Sequence, residues 1–351
     1  MKKYLAVFLM ATMLVSMAGC SSSSETATSS DASSSAAVES TGEVKKITIA
    51  HGASESYHMH RALLQFEETL EATGMFDITI YPSSQFGNDT EMIESVKTGD
   101  ITMAIPPSSF LTDEAPTMAL IELPYVFPSR EAAIATLDGE WGDQQLLALQ
   151  DSGLYGMGYL ENGLRHITNS KVAIRTPEDM DGLKLRTMEV AAHVTYWNSL
   201  GCSAEGSPFA ELYTNLSTKV FDGQENPIAH IHAQKFNEVQ SYLTLSGHVY
   251  TTYVPVMQMD YWNSLSAEEQ AIMSDAMESA YAYQLELVEA EEAGQLEEIG
   301  SSTTYPCEVI VLTDEEKQAF IDSAQPTLDQ YKGDLGEDVY YEFIAAIEAV
   351  S

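Results

Sequence analysis

The chain has 351 residues, 44% of them hydrophobic, so it can bury a full core, and its length fits two domains better than one. Only 16 Lys and Arg stand against 53 Asp and Glu, a formal net charge of −37, which argues against nucleic acid and against anionic lipid surfaces as partners. In that background each of the five arginines, at 61, 130, 165, 175 and 186, is a candidate for a specific task.

Lys2 and Lys3 precede an uncharged apolar run from Tyr4 to Met17, too short to span a bilayer and shaped like a secretory signal. It ends in Met17-Ala18-Gly19-Cys20, which resembles the cleavage and lipidation site of bacterial lipoproteins, with Cys20 as the lipidated residue of a mature chain anchored to the membrane. Residues 21 to 43, rich in Ser, Thr and Ala, read as a flexible tether with a reach of about 25 Å.

From residue 44 strands and helices alternate. Lys46 to Ala50 is a β-branched run, and Tyr57 to Thr73 carries Met59, Leu63, Phe66 and Leu70 on one helical face. Phe76 to Tyr81 alternates as a strand, Asp89 is a candidate cap for a helix ending at Gly99, and Ile101 to Ile105 is the next strand. Two successive strand-helix-strand units predict a parallel sheet in an α/β domain. Ligands of such sheets bind at the carboxyl ends of the strands, so the loops at 51–56, 83–89 and 106–109 are expected to face one cleft.

A helix is expected over 129–150, then a strand ending near Arg165. Thr176-Pro177 opens a helical turn closed by Gly182, and Leu183 to Thr187 alternates apolar with basic as a half-buried strand does. Helices follow at 190–200 and 208–221, the second with Ser207 at the cap and Pro208 in its first position. Strands are expected near 243–250 and 254–259. Ser266 with Glu269 then caps a long helix to about Ile299, able to brace two domains. A last strand at 309–312, a helix capped by Thr313 and Glu316, and a terminal helix with Val339, Phe343, Ile344 and Ile347 on one face complete the pattern.

No G-x-S-x-G elbow, phosphate-cradling loop or G-x-G-x-x-G occurs, which leaves an extracellular hydrolase as a distant alternative and gives no reason to expect catalysis or a cofactor. His58 with His60 and His230 with His232 are H-x-H pairs, but residues two apart on a helix diverge, so no metal site is expected. Cys202 and Cys307 lack metal-site spacing; a disulfide and two separate buried thiols are both open.

In "GLKLRTME", residues 182–189, alternation puts Leu183 and Leu185 on the core side and Lys184 and Arg186 on the other. Arg186 stands at a strand end, just before a turn into a helix, where ligand loops of α/β sheets gather. A guanidinium there presents a planar fork matched to a carboxylate. With no internal acid in view, a bound anion is its expected partner, while Lys184 is an ordinary surface base.

Three ordered segments, "YPSSQFGNDTEMIESVKTGD" at 81–100, "MDGLKLRTME" at 180–189 and "PFAELYTNLSTKVFDGQENP" at 208–227, resemble the DctP-like solute-binding proteins of TRAP-type (tripartite ATP-independent periplasmic) transporters, and the likeness runs from about residue 47 past 312. The resemblance implies a periplasmic-binding-protein-like α/β fold of two domains, with hinge strands, a long bracing helix and a cleft that closes on an organic acid. Domain I would comprise 44–162, about 252–290 and the C-terminal helices; domain II would comprise 163–251 and about 300–312. The resemblance assigns the carboxylate clamp to Arg186, with Asn226 on the same carboxylate, Arg165 as a second arginine and Phe209 packing on the ligand. It gives weaker roles to Asp89 and Glu189. Thr90, where an Arg is common, and Pro106-Pro107, where polar residues are, depart from the pattern. Membrane permease subunits would be the partners, the receptor itself being expected as a monomer. The alternative, a receptor for an ABC importer, shares the tether and architecture but not these segments.

Overall fold

The computed structural model describes residues 44–351. The secretory and lipidation segments and the tether lie outside them. Twelve strands are placed among the described residues: β1 (Lys45–Ala50), β2 (Phe76–Tyr81), β3 (Met103–Ala104), β4 (Leu154–Gly156), β5 (Leu160–Asn169), β6 (Lys184–Thr187), β7 (Ser203–Gly206), β8 (Gly223–Pro227), β9 (Tyr242–Leu245), β10 (Tyr250–Tyr253), β11 (Val256–Gln258) and β12 (Glu308–Val311).

They form two sheets, flanked by helices, as the α/β expectation requires. The first has the order β2-β1-β3-β11-β4, with β1 parallel to both β2 and β3 and with β11 antiparallel to β3 and β4. In the second, β12-β9-β5-β8-β6-β7, strand β5 is antiparallel to β8 and β9, while β6 is parallel to β7 and β8. The chain passes from one sheet to the other after β4 and returns between β10 and β11. Strand β10 pairs with the start of β5 along this crossing, with a register shift between Thr251 and Thr252.

Alternation explains the cores. Ile47, Ile49, Ile78 and Met103 meet Met59, Leu63 and Phe66 of the helix His58–Glu71, with Met273, Met277 and Ala280 of the long helix behind them. On the other face Met92, Ile93 and Val96 pack with Trp141, Phe343 and Ile347. Around the second sheet, Ile167 and Leu185 pack with Trp197 and Phe320, and Leu212, Ile228 and Leu243 pack with Ile299. The long helix, Ala267–Ser301, contacts the helix His58–Glu71, strand β5, the helix Ile228–Ala233 and β12, and so lies against elements of both sheets. Its 35 residues extend about 52 Å.

Several boundaries differ from the sequence reading. The segment 129–150 is two helices, Arg130–Leu137 and Glu140–Ala148, because the chain doubles back at Gly139; a Cβ at Gly142 would lie 1.8 Å from the Leu137 carbonyl oxygen. Asp89 is the first helical residue rather than the cap. Asn88 caps that helix, accepting from the Glu91 amide at 3.0 Å while Glu91 accepts from the Asn88 amide at 2.9 Å. The segment 208–221 is a short 3-10 turn, Phe209–Glu211, and one helix, Leu212–Ser217. Pro208 stays outside it in an extended conformation, Ser207 caps nothing, and Lys219 at φ 62° ends it early. The expected strand 243–250 is interrupted over 246–249, where Gly247 takes φ 54°, and β5 runs on past Arg165 to Asn169 because β8 and β9 supply its partners.

Cys202 and Cys307 are buried free thiols in different clusters. The paired histidines diverge: His58 bonds Gln284, His60 bonds His51, His230 bonds Tyr253, and half-buried His232 reaches Glu298.

Candidate ligand-binding site

The carboxyl ends of strands from both sheets converge on one cavity of about 260 Å³. After β1 the loop contributes Gly52; after β2 it contributes Ser84, Gly87, Asn88 and Asp89; after β3 it contributes Pro107 and Phe110. From the second sheet come Arg165 in β5, Arg186 in β6 with Met188 and Glu189 beyond it, Pro208 and Phe209 after β7, and Asn226 in β8. All six ligand residues expected from the sequence, Arg186, Asn226, Arg165, Phe209, Glu189 and Asp89, therefore line the same space.

Arg186 is 2% exposed. Its Nε donates to the Ser207 carbonyl at 2.9 Å and Nη2 donates to the same oxygen, so the turn after β7 holds one edge of the guanidinium. Among the described residues its Nη1 has no hydrogen-bond partner. Burial lowers its pKa to about 10, against the pull of Glu225, and it remains cationic at neutral pH.

Arg165 is wholly buried and has an internal acid, which the sequence reading did not provide for. Its Nε donates to Glu225 Oε2; its Nη2 donates to Glu225 Oε1 at 3.0 Å, to the Glu225 carbonyl at 2.6 Å and to Asn226 Oδ1 at 3.2 Å. Glu225 also accepts from Thr187 Oγ1 at 2.8 Å and lies 3.1 Å from His248 Nε2. Burial pushes the Glu225 carboxyl up, but Arg165 and these donors hold it well below the usual range. Since the carboxylate accepts, His248 donates from Nε2, and its Nδ1, 2.8 Å from Ser246 Oγ, is the acceptor of a neutral ring. Arg165 Nη1 is also without a hydrogen-bond partner among the described residues. Two buried guanidinium groups thus each keep one unsatisfied amino group in the wall of one cavity.

Opposite chemistry surrounds them. Phe209 meets His230 edge-on at 4.9 Å, and His230 stacks on Tyr57 at 3.9 Å while its Nε2 lies 2.8 Å from Tyr253 Oη. Burial keeps His230 neutral. Tyr57 Oη donates to Asn162, another lining residue. Asp89 is half-buried with its carboxyl in the cleft, and its pKa is raised to about 7 by burial, Glu189 adding and Arg186 opposing. Glu189 is exposed at the rim. Glu225, Tyr253 and Asn162 escaped the sequence reading, and His230 entered it only as half of an H-x-H pair with no role assigned. The signal for Glu225 was the run Gln224-Glu225-Asn226 between Gly223 and Pro227, three polar residues in a strand that proves wholly buried.

Two sheets whose strand ends share one cleft with two buried arginines in its wall, braced by a helix that reaches both, define a two-domain solute-binding architecture. Residues 49–334 match the family model described as bacterial extracellular solute-binding protein, family 7 (DctP), and the chain belongs to that family. It is 33% identical over 273 residues to the 2,3-diketo-L-gulonate-binding periplasmic protein YiaO of Escherichia coli, covering 77% of this chain and 81% of the relative. It is 30% identical over 271 residues to the C4-dicarboxylate-binding protein DctB of Bacillus subtilis, covering 77% of each. Among solved structures, the sugar acid binding protein DctPAm of Advenella mimigardefordensis in complex with galactonate superposes with a TM-score of 0.83 at 29% identity, covering 88% of this chain and 100% of that one. A TRAP periplasmic solute-binding protein of Shewanella oneidensis with bound succinate gives 0.82 at 26%, covering 87% and 100%. The chain is thus a TRAP-type, DctP-like solute-binding protein; the family binds solutes rather than transforming them and works outside the cytoplasm.

Proposed function

We propose that this protein captures an organic acid by its carboxylate and hands it to the membrane subunits of a TRAP-type transporter. The observation that carries the reading is the pair of buried, unsatisfied Nη1 groups of Arg165 and Arg186 in one cavity wall. Charge-assisted bonds are strongest where water is excluded, and leaving both donors unmet in the closed site is costly, so an anion is the natural complement. Arg186 grips the carboxylate, Asn226 and Arg165 support it, and Phe209 packs on the carbon skeleton.

Closure follows from the same geometry. A ligand touching the loops of the first sheet and the arginines of the second favours the conformation in which both are near, a hinge motion with the crossings near 157–160 and 253–256 as pivots. Domain I is then 44–162 with about 252–290 and the C-terminal helices, except the helix Asp314–Ser323, whose Phe320 packs with the second sheet, and domain II is 163–251 with about 300–312 and that helix. No covalent chemistry or cofactor is required. Lipidation at Cys20 would hold a monomeric receptor beside its permease. The ligands of the relatives, sugar acids and C4-dicarboxylates, support a small carboxylate without choosing between these.

Calorimetry against an organic-acid library tests the clamp. Arg186→Ala is expected to weaken binding at least about 100-fold, the loss of a charge-assisted pair, and Arg186→Lys is expected to recover little because it keeps the charge but not the fork. Near-normal affinity in Arg186→Ala would remove Arg186 from the clamp.

A further inference from the structure

A second cavity of about 320 Å³ adjoins the ligand cleft, the two sharing Phe110 and Glu189 in their walls. Its lining is acidic: Glu94, Asp113, Glu114, Glu122 and Glu189, with Thr90, Ser109, Thr112 and Tyr331 between them. Lys97, outside the wall, bonds both Glu94 and Glu114. No basic residue is among those that line this cavity, and in the ligand cleft Arg165 and Arg186 are the two arginines, with neutral His230 beside them.

Buried polar oxygens in this wall are also unmet, those of two of its carboxylates and of one hydroxyl. Ser109 is 6% exposed and its Oγ has no hydrogen-bond partner among the described residues. Glu122 is fully buried; Oε1 accepts from Ser108 Oγ at 2.7 Å, while Oε2, 3.2 Å from His193 Nε2, lacks the alignment of a hydrogen bond. Glu114 Oε2 is likewise buried without a partner.

Resting on the carboxylate-clamp reading, we propose that this second cavity receives the far end of an extended ligand, and that this end carries hydrogen-bond donors, an ammonium or hydroxyl groups, rather than a second carboxylate. A carboxylate placed there would meet Glu122 and Glu189, whose neighbours of opposite charge, His193 when protonated and Arg186, do not line this cavity, and it could not satisfy the unmet carboxylate oxygens. An N–H or O–H group supplies what the Glu122 and Glu114 oxygens lack, the Ser109 hydroxyl can pair with a ligand hydroxyl as donor or acceptor, and an ammonium also gains from the surrounding charge. The chain reaches the second cavity past Phe110 and Glu189, the residues common to both.

Four six-carbon acids of matched length separate the possibilities by calorimetry on the full folded chain: hexanoate, adipate, 6-aminohexanoate and D-gluconate. At least one of the two donor-bearing acids is expected to bind about tenfold or more tighter than both hexanoate and adipate, and Glu189→Gln is expected to shrink the advantage of 6-aminohexanoate over hexanoate severalfold. Adipate or hexanoate binding as tightly as the better donor-bearing acid overturns the proposal and leaves the clamp intact. Failure of all four, with no other acid in a library binding, overturns the clamp reading itself and this one with it. Ser109→Ala, a small change at the wall, is a second probe: an unchanged ranking and unchanged affinities in both variants would also place the ligand's far end elsewhere.

Discussion

Glu225 is the residue on which the cleft's electrostatics turn, because it fixes Arg165 through its side chain and its carbonyl and takes Thr187 and His248 as further donors. Replacing it by Gln keeps the shape but leaves a buried guanidinium without its counter-charge, so Glu225→Gln is expected to cost about 3–5 kcal/mol in chemical denaturation. A loss under about 1 kcal/mol would show that Arg165 finds another anion. Asp89 carries the opposite sign of effect. Its folded pKa is raised to about 7, so the native state holds a proton that the unfolded chain releases near pH 4, and stability from this group declines as pH rises between those values. Asp89→Asn should therefore raise the melting temperature at pH 8 and change it little near pH 4; an equal shift at both would dissociate the effect from titration.

At the scale of elements, the short strand β8 carries Glu225 and Asn226 and must lie close against β5. A Cβ at Gly223 would stand 2.4 Å from the Thr168 carbonyl and 2.8 Å from the Asn169 Cβ, backbone and near-backbone atoms that cannot swing aside. Gly223→Ala is thus expected to lower stability by about 2 kcal/mol or more, with a matching loss of ligand affinity as β8 shifts; full stability and affinity together would refute the tight register. Regular elements were the most legible part of the sequence, because capping pairs such as Ser266 with Glu269 and Thr313 with Glu316 act within one turn and are seen in the fold where expected. Part of the cleft lining was legible as well, since the loops after β1, β2 and β3 follow from strand polarity and the resemblance of "GLKLR" and "DGQENP" pointed to Arg186 and Asn226, whereas Asn162 and Tyr253 carried no such signal. Breaks set by close contact were not. Gly142 reads as a helix interior until Leu137 is folded against it, and Pro208 reads as a first helical residue until Arg186 takes the Ser207 carbonyl. The Arg165–Glu225 pair joins residues 60 apart, a distance at which local periodicity is silent.

Across the whole molecule, burial holds several histidines neutral. His51, His58 and His166 have pKa values lowered to about 3 and His248 to about 4, each first by desolvation. In the unfolded chain the same rings take up protons near pH 6.5, so stability is full above that value and falls as pH drops below it. Burial lowers His60 and His230 as well, so melting temperatures measured between pH 7 and pH 4 are expected to decline steeply through proton uptake by these rings on unfolding, offset in part by the proton held on Asp89. A flat profile would mean that these rings are protonated in the native state.

Gln284, on the long helix, donates to His58 Nδ1 at 2.9 Å and to the Glu161 carbonyl at 2.8 Å, and its Oε1 accepts from the Glu161 amide at 2.9 Å. That one buried amide stitches the brace to the first turn of the chain's opening helix and to the root of β5. In mechanical language it is a locating pin: sliding the long helix past these two elements would break three bonds at once, so the brace is held in one register against them.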